Sequence, residues 1–334
     1  MAPDARAAAA PAWQRELARA VTDPAELVEL LGLDPALLAP ARRAAARFRL
    51  RVPRGYVGRM RAGDPTDPLL RQVLPLADED ADAPGFVADP VGDLAAMAAP
   101  GLLHKYRGRV LLIATGACAV HCRYCFRRHF PYAEASAAGG HWRAALARIA
   151  ADPSIEEVIL SGGDPLTLAD GKLAELVQAL AAVAHVARLR VHTRLPVVLP
   201  ERVTPELCAL LARSRLQPVV VVHANHANEL DARVARAFGA LRAAGVTVLN
   251  QSVLLRGVND DVEALCALST RLFAAGALPY YLHLLDRVQG ARHFEVEEAR
   301  ARSLWRQMQA RLPGYLVPRL TREEAGAPGK TIIA

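Results

Sequence analysis

Three cysteines stand close together in this sequence and form a C-x3-C-x2-C motif. Cys118, Cys122 and Cys125 follow directly after the apolar segment 109–115. Three thiolates on one short loop can bind a single metal centre, and thiolates are the ligands that hold iron–sulfur clusters. Because a [4Fe-4S] cluster has four irons, three protein thiolates leave one iron free to bind a small molecule. The motif therefore predicts an iron–sulfur centre that takes part in chemistry.

Zinc is the alternative metal for these thiolates, with His121 or His129 as a fourth ligand. Structural zinc sites usually take their ligands as two pairs from separate turns, and a single triplet does not match that arrangement. The spacing favours an open cluster over zinc. The other two cysteines, Cys208 and Cys266, lie in apolar helix-like runs, which is typical of buried free thiols.

The cysteine usage and the N-terminus indicate a reducing compartment. Five cysteines do not provide an even disulfide framework. The N-terminal run MAPDARAAAAPAWQREL lacks the long apolar core of a signal peptide, and the sequence predicts no membrane-spanning segment. We therefore expect a cytoplasmic protein without a membrane partner.

Lysine is rare in this chain, although the formal net charge is +7. Lysine and arginine together number 41, and the lysines among them are Lys105, Lys172 and Lys330. A mechanism that needs a lysine amine therefore has few candidates. Lys172 stands at the start of a predicted helix, which is typical of a surface residue. Lys105 precedes the first predicted barrel strand and could contact a phosphate group.

Arginines are concentrated between residues 42 and 61. Such a cluster can dock an acidic partner or RNA, but a solvated basic face or internal salt bridges is the interpretation that we favour. The cluster consists of Arg42, Arg43, Arg47, Arg49, Arg51, Arg54, Arg59 and Arg61.

The organisation of the chain changes near residue 95. With 334 residues and 52% hydrophobic composition, the chain can bury a large core. Residues 11–50 predict short amphipathic helices, and the proline- and aspartate-rich stretch 63–90 predicts an irregular connection. We expect a helical and irregular region over 1–95, a catalytic region over 96–300 and a C-terminal segment over 301–334.

Apolar strand-like runs alternate with helical patterns from Arg109 onward. This alternation predicts an α/β protein with a parallel sheet, either doubly wound and open or curved into a partial barrel. The predicted strands are 109–115, 156–160, 188–193, 218–222, 246–251 and 279–284. The predicted helices lie near 141–151, 170–184, 204–214, 229–244 and 260–275.

Polar residues follow the end of each predicted strand, which is where barrel active sites lie. The second strand leads into Gly162, Gly163 and Asp164. The glycines would let the backbone approach a ligand, and Asp164 could receive an ammonium or hydroxyl group. Further polar ends are His192-Thr193-Arg194, His223 with Asn225, His226 and Asn228, Asn250-Gln251-Ser252, and His283 with Asp286. Together they predict a small-molecule site at the end of the sheet where the carboxyl ends of the strands meet.

The cysteine motif followed by SGGDP resembles the radical S-adenosylmethionine (SAM) superfamily. The strings GLLHKYRGRVLL, CRYCFRRHFPY, NHANE, LNQSVLLRGVND, YYLHLLDRVQGARHF and GYLVPRL resemble the lysine 2,3-aminomutase family, in particular its short branch linked to β-lysylation of elongation factor P. The resemblance runs from about Pro53 to Lys330. It implies a partial (β/α)6 barrel with an N-terminal helical extension and a short C-terminal segment that binds pyridoxal 5′-phosphate (PLP).

The resemblance also implies the cofactors and the reaction. The three cysteines would hold a [4Fe-4S] cluster whose open iron binds SAM, and one electron from a donor protein would start radical chemistry. PLP on a lysine amine would assist the transfer of the substrate nitrogen from C2 to C3 of L-lysine. The expected activity is that of an isomerase that makes (R)-β-lysine.

Individual roles follow from positions that match the family motifs. Lys330 matches the PLP lysine, while Arg109 and Lys105 are expected to contact PLP. Arg127 matches the arginine that binds the substrate carboxylate, which suits a guanidinium fork. The expected SAM contacts are Gly162, Gly163, Asp164, Gln251 and Ser252. The expected receivers of the distal ammonium are Asp286 and Glu323, where glutamate stands in place of the family's aspartate.

The short branch implies particular partners. Free-standing lysine aminomutases carry a longer C-terminal extension with further cysteines, whereas this sequence has no cysteine after Cys266. We expect β-lysine to pass to a separate ligase that modifies elongation factor P. The sequence does not decide whether the chain forms a homo-oligomer. One alternative is an aminomutase for another amino acid, such as glutamate, or a source of free β-lysine. Another is a basic zinc or iron–sulfur module that binds nucleic acid, but aromatic residues make up only 5% of the chain.

Overall fold

The computed structural model describes residues 10–135 and 142–334. Its α-helices are α1 (Ala12–Ala18), α2 (Pro24–Leu30), α3 (Leu38–Arg47), α4 (Arg54–Val57), α5 (Pro68–Arg71), α6 (Tyr132–Ala135), α7 (Trp142–Ala150), α8 (Asp170–Ala181), α9 (Leu195–Val198), α10 (Pro205–Arg213), α11 (Ala232–Ala243), α12 (Val262–Ala275) and α13 (Glu298–Arg311). Its strands are β1 (Met97–Ala99), β2 (Leu102–Tyr106), β3 (Arg109–Thr115), β4 (Glu157–Gly162), β5 (Arg188–Thr193), β6 (Gln217–Val222), β7 (Thr247–Val253), β8 (Leu278–His283), β9 (Arg319–Arg322) and β10 (Thr331–Ile332).

All these strands form one sheet in which neighbours follow chain order from β1 to β10. Strands β3 to β9 run parallel to one another. The short strands β1 and β2 pair antiparallel at one edge, and β10 pairs antiparallel with β9 at the other. Parallel neighbours in chain order require a helical crossover on the same side each time, so the helices cover one face of the sheet.

The predicted α/β class with a parallel sheet is confirmed, and each predicted strand is present with its ends shifted by at most two residues. The predicted helices are also present, although residue 141 of the first lies outside the described residues. Strands β1, β2, β9 and β10 were not predicted. They are short, and β9 buries only Leu320 and Thr321, so the periodic signal of a strand is too weak there.

The sheet is curved, because its two edges come close together. Lys105 in β2 contacts Glu323, which follows β9, with 2.9 Å between Nζ and Oε1. Along β5, Leu189 and Val191 are buried in the core with the helices, whereas Arg190 and His192 on the opposite face are partly exposed. Because strand side chains alternate between faces, the second set lines the open concave interior. Of the two predicted arrangements, an open doubly wound sheet and a partial barrel, the curved sheet is the partial barrel.

The hydrophobic core extends across residue 95. Trp13, Leu27 and Leu70 belong to the same buried cluster as Leu112 and Val220 of the sheet. The first helices therefore pack on the barrel rather than on a core of their own. The division into three regions stays a prediction.

Several arginines between residues 42 and 61 have contacts within the protein. Arg47 pairs with Asp80, and the guanidinium of Arg59 donates to the carbonyl oxygen of Val197 at 2.7 Å. Arg51 donates to the carbonyl oxygen of Leu17 at 3.0 Å. These contacts agree with the interpretation of internal pairing.

None of the helices in residues 10–135 and 142–334 is both long and apolar enough to span a membrane.

Candidate active site at the mouth of the barrel

The cysteine loop rests on the glycine turn that follows β4. The backbone N–H of Gly163 donates to Thr115 at 2.8 Å, and that of Asp164 donates to Ala117 at 2.7 Å. A Cβ on Gly163 would lie 2.3 Å from the carbonyl oxygen of Ala117, and one on Gly162 would lie 2.6 Å from that of Thr115. The glycines thus permit close approach of the cysteine loop, and their expected contact with SAM stays a prediction.

The thiols of the loop lie at the carboxyl end of β3 and are half-buried. Desolvation raises the pKa of Cys118 well above its ordinary value and that of Cys125 to about 11. Metal binding must displace these protons. The guanidinium of Arg194 donates to the sulfur of Cys122, with 2.7 Å between Nη1 and Sγ.

This donor set fits an iron–sulfur cluster. Three thiols project from one loop, and a cubane binds each thiolate through a different iron atom. A site for a single metal ion, such as zinc, would need its ligands closer together: within the described residues, no three His, Cys, Asp or Glu side chains are placed to bind one ion. Cys118, Cys122 and Cys125 are the candidate ligands of such a cluster.

Asp164 holds the ends of β4 and β5 together. Its Oδ1 accepts from the hydroxyl of Thr193 at 2.7 Å, and its Oδ2 accepts from the backbone N–H of Arg194 at 2.7 Å. The backbone N–H groups of Leu166 and Leu195 also donate to this carboxylate. Its oxygens therefore accept hydrogen bonds within the protein, and the expected contact of Asp164 with SAM stays a prediction.

The two other expected SAM contacts lie on opposite faces of β7. Ser252 is buried on the face that packs against the helices, and its hydroxyl donates to the carbonyl oxygen of Ala224 at 2.9 Å. Gln251 lies on the concave face, 2.9 Å from the ring nitrogen of His223. Because neighbouring strand residues face opposite ways, only Gln251 of this pair is placed toward a ligand in the barrel.

Five charged side chains of alternating sign form a continuous chain across the mouth, which we call the charge chain. Arg127 Nε lies 2.6 Å from Asp93 Oδ2. The other oxygen of Asp93 lies 2.6 Å from Lys105 Nζ. Lys105 also lies 2.9 Å from Glu323 Oε1, and Glu323 Oε2 lies 2.7 Å from Lys330 Nζ. The chain connects the expected carboxylate site to the expected PLP lysine.

Arg127 is buried and held from two sides. Besides Asp93, its Nη1 donates to the hydroxyl of Ser161 at 3.1 Å. Burial lowers the pKa of Arg127, but Asp93 raises it, and the net change is an increase. A guanidinium fixed in this way is a pre-oriented receiver for a carboxylate.

Glu323 is engaged by two lysines. Burial raises its pKa, but Lys330 and Lys105 lower it, and the net result is a pKa of about 2. Glu323 is therefore ionised and neutralised by protein cations. Glu323 is the counter-ion of Lys330 and Lys105 in this structure, and its expected role as a receiver of the substrate ammonium stays a prediction.

Asp286 lies near this chain without joining it. In the part of the chain that the structure describes, its carboxylate forms no salt bridge within 4.0 Å. Burial, and next the charge of Glu323, raise the pKa of Asp286 to about 7, although Lys330 and Lys105 oppose the shift. A carboxylate that is desolvated and lacks a cation is suited to receive an ammonium group.

Arg109 lies at the amino end of β3, opposite to the cysteine loop. Its guanidinium stacks over the ring of Tyr106 at 4.7 Å. It also lines a cavity of about 340 Å³ with residues at the amino ends of the strands, among them Glu157 and Arg188. Burial, and next the charge of Glu323, raise the pKa of Tyr106 well above its ordinary value. The expected contact of Arg109 with PLP stays a prediction.

Lysines 105 and 330 are together, whereas Lys172 is not part of the site. Lys172 pairs with Glu175 on the exposed surface of α8 at 2.8 Å. Lys330 Nζ lies 5.8 Å from the centre of the Tyr281 ring. The exposed position of Lys172 agrees with its interpretation as a surface residue, and the PLP role of Lys330 stays a prediction.

Histidines of the concave face are uncharged at neutral pH. Burial, followed by the charge of Arg194, lowers the pKa of His223 to about 3. Burial also lowers the pKa of His192 and of His283 well below the ordinary value. These rings therefore supply neutral hydrogen-bonding groups to whatever occupies the barrel.

Sequence reasoning missed Asp93 and gave no role to Arg194. Asp93 stands after the irregular aspartate-rich stretch, where no periodicity marks it. Its partners Arg127 and Lys105 come close only through folding. Arg194 was noted at the end of its strand, but residue type alone does not show a contact with sulfur.

Comparison with known proteins gives a consistent result. Residues 112–268 match the family model of the radical SAM superfamily. The chain is 52% identical over 320 residues to L-lysine 2,3-aminomutase of Escherichia coli K12, covering 96% of this chain and 93% of that protein. It is 50% identical over 322 residues to the L-lysine 2,3-aminomutase of Haemophilus influenzae Rd, covering 96% and 95%. Among solved structures, a radical SAM methyltransferase from Sphaerobacter thermophilus matches 66% of this chain and 68% of its own with a TM-score of 0.44 and 20% identity.

Proposed function

The chain belongs to the L-lysine 2,3-aminomutase family of radical SAM enzymes, and on this premise we propose that it converts L-lysine to (R)-β-lysine with the help of PLP held by Lys330. The product would be passed to a ligase that modifies elongation factor P. The observation that supports the proposal is the charge chain. It links Arg127 to Lys330, and Asp286 lies beside it without a salt bridge to any of the described residues.

The cofactors of the family fit this mouth. Cys118, Cys122 and Cys125 would hold the [4Fe-4S] cluster, and Gln251 is the expected SAM contact that faces the barrel interior. Lys330 offers an amine for PLP, and Lys105 offers a second cation beside it. When bound, the cluster with SAM supplies a one-electron route to hydrogen abstraction, and PLP supplies a conjugated ring that assists nitrogen transfer.

The protein groups bind the substrate at its two charged ends. Arg127, fixed by Asp93 and Ser161, would receive the carboxylate of lysine through its remaining N–H groups. Asp286 would receive the distal ammonium, and its burial makes the pair strong because few water molecules compete. A cationic side chain on the substrate is therefore favoured over an anionic one such as that of glutamate.

Glu323 holds the amine of Lys330 in place. It accepts a hydrogen bond from Nζ of Lys330 at 2.7 Å, and its other oxygen accepts one from Nζ of Lys105 at 2.9 Å. The carboxylate thus fixes the Lys330 amine beside a second cation, at the position where the amine would hold PLP.

Lysine substitutions test which amine binds PLP. We expect Lys330→Ala to abolish the visible absorbance of bound PLP and turnover, because no other amine occupies that position. Lys172→Ala serves as the matched control, and we expect it to keep wild-type PLP absorbance. A Lys330→Ala protein with an unchanged PLP spectrum would contradict the assignment, and Lys105→Ala would then be examined in the same way.

Two further measurements test the reaction and its purpose. Anaerobic reconstitution followed by mass spectrometry with L-lysine or L-glutamate would identify the substrate, and we expect turnover of lysine alone.

Elongation factor P isolated from cells that lack the gene should have no β-lysyl modification. Complementation with the wild-type gene should restore it, and complementation with Lys330→Ala should not. Full modification in the deletion strain would contradict the proposed link.

A further inference from the structure

We propose that Arg194 sets the reduction potential of the cluster by donating a hydrogen bond to the sulfur of Cys122. This inference rests on the proposed function, because it needs the cluster at the three cysteines. The observation is the distance of 2.7 Å between Arg194 Nη1 and Cys122 Sγ. The same nitrogen donates to the hydroxyl of Tyr124 at 2.8 Å.

The Arg194 guanidinium is fixed in place. Its Nη2 donates to Glu229 Oε2 at 2.9 Å and to Gln72 Oε1 at 2.6 Å. Glu229 is fully buried. Its second oxygen accepts from the backbone N–H of Asn225 at 2.7 Å, which anchors the carboxylate. The cation therefore cannot turn away from the sulfur without breaking a buried network.

A fixed cation beside a cluster sulfur favours the reduced state. The donor protein adds one electron to the cluster, and the cluster becomes more negative by one charge without making or breaking a bond. Hydrogen bonds to the sulfurs and the local charge set the potentials of such clusters, and outer partners tune metal centres in general. The buried position strengthens the effect because screening by water is weak.

A purely structural role would have a different consequence. If Arg194 served only to join the strand ends to Gln72 of the N-terminal region, its loss would reduce stability and leave the potential unchanged. The potential is therefore the measurement that separates the two roles.

The test compares variants of the full-length protein by EPR-monitored redox titration after reconstitution of the cluster. Arg194→Gln combined with Glu229→Gln removes both charges, so no buried carboxylate is left unpaired. We expect its midpoint potential to be more negative than that of the wild type. Glu229→Gln alone keeps the N–H···S contact and removes the neutralising charge, so we expect a shift in the opposite direction.

Arg202 and Asp170 provide a matched control. Arg202 is fully buried, pairs with Asp170 at 2.7 Å and donates to the carbonyl oxygen of Leu166 rather than to a sulfur. We expect Arg202→Gln with Asp170→Asn to lose stability but to keep the wild-type potential.

The outcomes distinguish this inference from the proposed function. If the wild-type EPR signal responds to SAM and both Arg194 and Glu229 variants keep the wild-type potential, the inference is wrong and the proposed function stands. If the wild type assembles no cluster that responds to SAM, both are wrong. Opposite shifts in the two variants, with an unchanged control, would support the inference.

Discussion

Asp93 determines how Arg127 meets a substrate carboxylate. It is 1% exposed and pairs with Arg127 on one oxygen and with Lys105 on the other. The pairing fixes the orientation of the charged Arg127 guanidinium, which the hydroxyl of Ser161 also contacts. A fixed guanidinium is pre-oriented for a carboxylate.

Replacement of this carboxylate should therefore affect turnover. We expect Asp93→Asn to lower kcat/KM for lysine by about 100-fold, because a misplacement of about 1 Å is enough for such a loss. Asp152→Asn is the control, since Asp152 accepts hydrogen bonds from Ser154 in a turn before β4. Wild-type kcat/KM in Asp93→Asn would show that Arg127 does not need its partner.

The raised pKa of Asp286 predicts a pH dependence. Its carboxyl group titrates at about 7 in the folded protein, so it is protonated below that pH and cannot pair with the lysine ammonium. We expect kcat/KM for lysine to rise about tenfold per pH unit below pH 7 and to level off above it, as the free-enzyme pKa requires. Asp286→Asn should lower kcat/KM and remove this limb of the profile. A profile that is the same in both proteins would contradict the assignment.

The same raised pKa has a consequence for stability. An unfolded aspartate titrates near 3.9, so between about pH 4 and pH 7 the folded protein binds more protons at Asp286 than the unfolded chain. The contribution of this group to stability therefore decreases as the pH rises through that window. The protein keeps a carboxylate that its own fold disfavours, which is typical of a functional position.

At the scale of single residues, the sequence predicts what depends on residue type and spacing. The cysteines could be selected because they stand on one loop, and Lys330 because lysine is rare. Glu323 was found, but its partners were not, since Lys105 is 218 positions away in the chain. Pairing between distant charges depends on the folded geometry, and one sequence does not contain that information.

The elements of the barrel act on the site through backbone contacts. The glycine turn after β4 supports the cysteine loop, and it does so with hydrogen bonds from Gly163 and Asp164. A sequence pattern shows the glycines but not what approaches them. The sequence therefore could not distinguish close approach of a ligand from close approach of the cysteine loop. Strand β9 is the second case, because it brings Glu323 into place although its four residues carry little periodic signal.

Gly163→Ala tests the role of the turn. Its Cβ would lie 2.3 Å from a backbone oxygen of Ala117, so the cysteine loop must move. We expect the folded protein to bind clearly less iron and sulfide per chain after reconstitution. Gly171→Ala in α8 is the control, since nothing lies within 4 Å of its added Cβ, and it should gain up to about 1 kcal/mol of stability. Wild-type iron content in Gly163→Ala would contradict the role.

At the scale of the whole molecule, the site depends on the curvature of the sheet and on the N-terminal region. Strands β2 and β9 are far apart in the order of the sheet, yet Lys105 and Glu323 connect their ends. Gln72 of the N-terminal region contributes to the network around Arg194. The sequence predicts the parallel sheet, but the closeness of its edges and the shared core follow only from the folded structure.

The N-terminal helices should therefore contribute to the stability of the barrel itself. Trp13 in α1 is 2% exposed, and the guanidinium of Arg202, which follows β5, lies 4.5 Å from its ring. We expect Trp13→Ala to lower the free energy of unfolding by about 3–5 kcal/mol, because it leaves a large cavity in the common core. Denaturant unfolding followed by far-UV circular dichroism would measure this change.

Leu30→Ala is the matched control for this prediction. Leu30 lies in the neighbouring helix α2 and is 48% exposed, so its truncation should cost less than about 1 kcal/mol. If Trp13→Ala unfolded only the first helices and left the barrel signal at its wild-type midpoint, the N-terminal region would be an independent unit. A common shift of the whole transition would instead show that the helices and the barrel form one cooperative structure, in which the surroundings of the cysteine loop depend on residues far from the catalytic mouth.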